Sequence, residues 1–274
     1  MTSKPSFPWK RFLTASILIP FIFIYLYWGG SRLFFLLVWG GFLLGAWEYL
    51  RLTRPRPYRG FLFLHWLAGT LILSGAFWQG LEGFLAALVI AMILFVLQAA
   101  FIFPPGLPFV EFLGKQFLGI WYLPFFLSFI ILIRSQDQGL IWIFFLLAVT
   151  YAGDSAAFFV GRTWGRHKLV PQISPHKTLE GALGGLAANG VTAWIFQQTL
   201  FAHFSLFQLL SLALFLGAAS QLGDLFESMI KRSVRAKDSG AIFPGHGGFL
   251  DRVDSLLLPL PLLYFYIRFA VHPF

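Results

Sequence analysis

The sequence predicts an all-α polytopic membrane protein with about nine transmembrane helices, its N-terminus cytoplasmic and its C-terminus on the opposite side. Three observations predict it. Of 274 residues, 58% are hydrophobic and only 11% are charged, too few polar groups to cover a soluble domain of that length. Thirty-five Phe and ten Trp suit a lipid-facing exterior. The basic residues, finally, are distributed with the asymmetry that orients a chain in a bilayer.

A span needs about 20 mostly apolar residues. The opening stretch, MTSKPSFPWKRFLTASILIPFIFIYLYW, has the basic flank and apolar run of a signal peptide. The run is long enough to cross a bilayer, however, and no small-residue cleavage motif follows, so it reads as a retained first span. The nine candidates are 12–28, 33–50, 61–78, 83–103, 117–133, 139–160, 180–197, 206–226 and 255–270. Proline-rich breaks, RPRPYRG (54–60) and FPPGLPF (103–109), separate neighbours. Spans 1–5 form an N-terminal region, 1–138. Spans 6–9 form a C-terminal catalytic region, 139–274, with cytoplasmic loops 161–179 and 227–254. With the N-terminus inside, seventeen of the twenty Lys and Arg lie on the cytoplasmic side, leaving Arg32, Arg134 and Arg268 opposite. The net charge of +9 therefore sets topology and does not imply nucleic acid. With no cysteine in the chain, disulfides and thiolate metal sites are excluded.

Ionisable groups within spans are costly and mark function by default. Glu48 (GAWEYL), Asp154 (YAGDSAAFF), and Asp224 with Glu227 (QLGDLFES) sit in or beside apolar runs that end in the cytoplasm. Glu180, Asp238, Asp251 and Asp254 join them on that face. For Glu48, Arg51 three residues on offers a simple neutralising partner. Asp224, Glu227, Ser228 and Lys231 follow at i, i+3, i+4 and i+7 and share one helix face. Asp251, Asp254 and Ser255 do the same at the start of span 9. Two carboxylate-bearing faces can meet around a hard divalent cation, and magnesium suits such ligands.

The loops add phosphate chemistry. In PGHGGFLDR, glycines let the backbone approach a ligand and expose successive N–H groups. GRTWGRHKLVPQISPHKTLEG carries Arg162, Arg166, Lys168 and Lys177 into a helix beginning near Glu180, whose N-terminus attracts anions. His246 reads either as a general base or as a hydrogen-bond donor. The small-residue run GALGGLAANG (181–190) reads as close helix packing.

The stretch SMIKRSVRAKDSGAIFPGHGGFLDRVD resembles the signature of the phosphatidate cytidylyltransferase, or CDP-diacylglycerol synthase, family. That pattern is Ser, two residues, Lys-Arg, four residues, Lys-Asp, then Pro/Gly-x-His-Gly-Gly and x-Asp-Arg-x-Asp. Here it is met by Ser228, Lys231-Arg232, Lys237-Asp238, Pro244, His246-Gly247-Gly248, Asp251-Arg252 and Asp254. GDSAAFFVGR (153–162), SPHKTLEG (174–181) and GDLFES (223–228) resemble the family upstream. The resemblance implies that CTP and phosphatidate give CDP-diacylglycerol and pyrophosphate with Mg2+, as more than one ion and with a monovalent ion as a further candidate. On this reading Asp224, Lys231, Arg232, Asp251 and Arg252 are catalytic. Asp224, Asp251 and Asp254 hold metal, with Asp154 as a further candidate. Lys177, Ser228, Lys237, Asp238, His246, Gly247 and Gly248 bind substrate. The expected setting is the inner membrane of a bacterium, with the site facing the cytoplasm and a homodimer compatible. Two rivals are weighed. A CTP-dependent polyprenol or phytol kinase lacks this full pattern. An anion transporter would place its charges near mid-bilayer at broken, repeated helices, whereas here they gather at one face.

Overall fold

The computed structural model describes residues 29–53, 59–102, 108–240, 242 and 247–271; the expected first span lies outside them. The described residues are helical nearly throughout. Helix α1 is Gly30–Thr53. The next, α2, runs Arg59–Ile102 but is broken at Gly80, whose φ of 64° and ψ of −142° are not helical. Only glycine takes such a backbone without strain. A Cβ on Gly75 would lie 2.3 Å from the carbonyl oxygen of Gly83, although eight residues of straight helix span about 12 Å. The chain thus doubles back, and the two arms correspond to the sequence spans 61–78 and 83–103.

Helix α3 (Phe109–Ile120) passes through a π-helical turn, Trp121–Phe125, into α4 (Phe126–Arg134). Pro124 sits inside that turn, and its carbonyl accepts from the Ser128 hydroxyl at 2.6 Å. Proline has no N–H to give the helix ladder, so widening is the local solution. Helix α5 spans Gly139–Trp164. A two-stranded antiparallel hairpin, β1 (Lys168–Val170) and β2 (Ser174–Thr178), leads into α6 (Leu179–Thr199). Then follow α7 (Leu206–Ser233), α8 (Leu250–Leu257) and α9 (Pro259–Tyr266), the last continuing as a π-helical turn, Ile267–Val271.

Among the described residues, six helices are long and apolar enough to cross a membrane. One of them is the folded α2. Helix α6 is long but not apolar enough to join them, because its residues are chosen for closeness rather than hydropathy. Gly181, Gly185 and Asn189 run along one of its faces and mesh with Ala157, Gly153 and their neighbours on α5. A Cβ on Gly185 would stand 2.8 Å from the Gly153 carbonyl, and one on Gly181 2.7 Å from that of Ala157. This is the small-residue approach by which membrane helices pack, as the 181–190 run predicts. Buried Asn189, its amide turned to donate to the carbonyls of Val149 at 2.7 Å and Gly185 at 3.3 Å, closes the junction, and a Cβ on Gly217 of α7 would collide with it.

The core is aromatic, built on Phe42, Tyr49, Phe84, Trp142, Phe145 and Phe201. Outward-facing groups are apolar too: Trp78, Phe101, Val110 and Phe207 are each more than 70% exposed. An apolar exterior of this extent needs hydrocarbon around it.

Candidate active site

Four helix ends meet at one end of the bundle: the C-termini of α1, α5 and α7 and the N-terminus of α8, with the β-hairpin laid across them. The hairpin is held at its base. Thr178 caps α6, its Oγ1 accepting from the Gly181 N–H at 3.1 Å. Gly161 and Gly165 make room for that threonine; a Cβ on Gly165 would lie 2.7 Å from its Oγ1. Glu180 accepts from the N–H of Arg166 at 3.0 Å and of His167 at 3.2 Å, and meets the His167 Nδ1 at 2.6 Å. These contacts tie the loop after α5 to the first turn of α6. Lys177, next to the cap, is thereby aimed at α7, where its Nζ lies 2.6 Å from Asp224 Oδ2.

The helix face expected on α7 is present. Asp224, Glu227, Ser228 and Lys231 project together, with the Ser228 hydroxyl 3.5 Å from Asp224 Oδ1 and Lys231 ion-paired to Glu227. Lys231 also reaches Asp251 Oδ1 on α8 at 2.7 Å. Asp251 accepts further from the Ser239 N–H at 3.1 Å, the Ser239 hydroxyl at 2.9 Å and the Gly248 N–H at 2.8 Å. Asp254 is buried on the next turn and accepts from the Ser255 N–H at 2.7 Å and hydroxyl at 3.1 Å. The two helices touch backbone to backbone, since a Cβ on Gly223 would be 2.5 Å from the Asp254 carbonyl. Asp154 of α5 lies beside the Ser255 hydroxyl, within electrostatic range of Asp224 and Lys177.

Carboxylates from α5, α7 and α8 thus surround two partly buried lysines, Lys177 and Lys231, each of them ion-paired. One oxygen of Glu227 is buried without a hydrogen bond. The donor set is all oxygen, the set that hard cations take. Among the described residues, no three acids stand close enough to cage an ion by themselves.

The other expected residues fall around this centre. Arg232 is exposed and donates to the carbonyls of Ile173 and Ala236, each at 3.2 Å, tying the hairpin turn to the end of α7. That end is a Schellman turn. Arg235 takes a φ of 57°, its N–H bonds the Arg232 carbonyl at 3.0 Å, and the Ala236 N–H bonds that of Lys231 at 2.9 Å. Lys237 and Asp238 are exposed just beyond it, and Arg252 is exposed on α8. Gly247 adopts a φ of 79°, a left-handed value that explains a glycine there. His246 and Pro244 lie outside the described residues.

Three residues that the spacing did not single out also belong here. Ser239 bonds Asp251, as above. Tyr122, from the π-helical turn, is buried with its hydroxyl unbonded, within electrostatic range of Glu227, Asp254, Asp224 and Asp251. Glu48 departs from the sequence reading. Arg51 does not neutralise it but lies over the Trp47 ring, 5.2 Å from its centroid. Glu48 is buried and faces the signature segment, accepting from the Leu250 N–H at 3.0 Å. An acid in an apolar run was the available signal; its partner, two hundred residues away, was not.

The family model of the cytidylyltransferase family matches residues 9–270, nearly the whole chain. The chain belongs to the cytidylyltransferase family. The acidic and basic centre lies within the matched residues. Similar curated proteins include the phosphatidate cytidylyltransferase of Bacillus subtilis (strain 168), 50% identical over 134 residues, covering 48% of this chain and 50% of that one. That of Staphylococcus epidermidis is 38% identical over 151 residues, 55% of each chain. That of Brucella melitensis biotype 1 is 43% identical over 161 residues, 58% of this chain and 59% of its own. The chain spans about half the length of the curated relatives it matches.

Proposed function

We propose that this family member is a CTP:phosphatidate cytidylyltransferase, making CDP-diacylglycerol and pyrophosphate for phospholipid synthesis. One observation carries the reading: the pairs Lys177–Asp224 and Lys231–Asp251, 2.6 and 2.7 Å apart, meet at one end of an apolar bundle. Paired lysines and carboxylates can exchange partners. A polyanionic nucleotide entering with a cation would draw the lysines to its phosphates and free the carboxylates to hold the cation. A bundle end also lets a diacyl substrate reach the same point from the lipid.

The phosphatidate phosphate attacks the α-phosphorus of CTP in line, and pyrophosphate leaves. Phosphatidate arrives already ionised near neutral pH, as a phosphorylated side chain does, so no general base is required. Lys177, Lys231, Lys237, Arg232 and Arg252 bind phosphate oxygens, the arginines suiting two-pronged contacts. Gly247 and Gly248 let the backbone approach the nucleotide closely. Asp224 and Asp251, with Asp254 and Asp154 beside them, would hold a magnesium ion, which would supply positive charge against the charge that develops on the phosphate oxygens. In the bilayer we place the chain with nine spans, N-terminus in the cytoplasm of a bacterium, and the site on that face.

Incubation of the detergent-purified protein with phosphatidate, magnesium and α-labelled CTP tests the reading. Label should appear in the extracted lipid and vanish in Asp251→Asn and on chelation of the metal. Lipid labelled only from γ-labelled CTP would make the protein a kinase instead.

A further inference from the structure

Glu48 lies on α1, far in sequence from every residue assigned a role above, yet it is completely buried at the rim of the site. Its Oε2 accepts from the Leu250 N–H at 3.0 Å and lies 3.5 Å from the Ser239 hydroxyl. Its Oε1 is buried without a hydrogen bond. Two glycines pack against the carboxylate: a Cβ on Gly240 would be 2.4 Å from Oε1, and one on Gly248 2.6 Å from both oxygens. Burying a carboxylate is costly, so its placement here needs a reason.

Helix α8 supplies one. It begins at Leu250 behind Phe249, which offers no capping side chain. A helix start leaves N–H groups unsatisfied and favours negative charge. Glu48 meets both needs from another helix, 202 positions away. The residue following Leu250 is Asp251, and Ser239, which touches Glu48, gives Asp251 two of its hydrogen bonds.

We propose that Glu48 is a positioning residue for the active site. It caps α8 from α1 and steadies Ser239, so that Asp251 keeps its aim at Lys231. Glu48 itself touches neither substrate nor cation. The rate readout of this proposal rests on the cytidylyl transfer proposed above; its structural readout does not.

The test uses the full chain in detergent, comparing wild type with Glu48→Ala, Glu48→Gln and Ser239→Ala. Hydrogen exchange is followed in peptides covering 247–257 and, as a remote control, 126–134. In Glu48→Ala, exchange in 247–257 should rise at least tenfold with the control unchanged. Its kcat should fall about 100-fold, the scale of a misplaced catalytic group, with the KM for CTP within threefold. Glu48→Gln, whose amide oxygen still accepts from Leu250, should restore the protection. Exchange and kcat within twofold of wild type in Glu48→Ala would overturn the proposal, as would exchange that rises equally in both peptides. If Glu48→Ala does not fold, the double variant of Glu48→Gln and Ser239→Ala decides: coupled effects on kcat support the link, and additive effects overturn it. A wild type that transfers no label from CTP would refute the cytidylyl transfer, leaving exchange alone to judge Glu48.

Discussion

At the scale of single residues, the two aspartates of the site are held differently, and their substitutions should differ accordingly. Asp224 is partly exposed, paired with Lys177 and near Ser228. Asp224→Asn should lower the cytidylyl transfer rate at least several hundred-fold, the scale of a lost electrostatic group, while the protein unfolds at nearly the wild-type temperature. Asp251 is anchored by Lys231, Ser239 and Gly248. Asp251→Asn leaves Lys231 short of a partner beside buried Glu227, so it should also cost about 1–3 kcal/mol of stability. Label transfer and thermal unfolding in detergent separate the two effects; full activity in Asp224→Asn would remove that residue from the mechanism. The shared face on α7 was legible because i+3, i+4 and i+7 spacing needs only helical geometry. The partner of Lys177 was not, since nothing in local spacing joins a strand to a residue 47 positions on.

At the scale of elements, α5 and α6 are placed by what they lack. Their glycines let the backbones approach until the Gly153 carbonyl is within 2.8 Å of where a Gly185 side chain would start. Gly185→Leu should force the pair apart at a cost at or above the usual 1–3 kcal/mol of overpacking. It should abolish activity as well, because Asp154 follows Gly153 and Lys177 lies two residues before α6. Leu183→Ala, on the exposed face of α6, should change neither; the yield of monodisperse protein and its rate check both. The run of small residues announced close packing in the sequence. Its low hydropathy is the same fact seen otherwise, which is why α6 falls outside the six strongly apolar helices. The hairpin arms of α2 were legible as two spans, although helical backbone continues up to the break at Gly80.

For the whole molecule, the arrangement of helix ends makes one pole polar and leaves the turn between α4 and α5 at the other. In the topology proposed above, the polar pole faces the cytoplasm. Because the chain contains no cysteine, single-cysteine variants report sidedness cleanly. Lys168→Cys in the hairpin should react with a membrane-impermeant maleimide only in inverted vesicles, and Asp137→Cys only in intact cells. The reverse pattern would invert the topology and move the site away from cytoplasmic CTP.

The sequence by itself determined the membrane character and the helical class, and it singled out the charged residues proposed for the site. Composition, spacing and a signature segment are local properties that survive without coordinates. Only the tertiary structure decided which charge meets which: Lys177 with Asp224, Lys231 with Asp251, and Glu48 with the start of α8. The physical reason is that burial makes an unpaired charge costly, so partners are chosen by where helices converge in space, and that convergence depends on glycines that let helices touch rather than on the charged residues themselves.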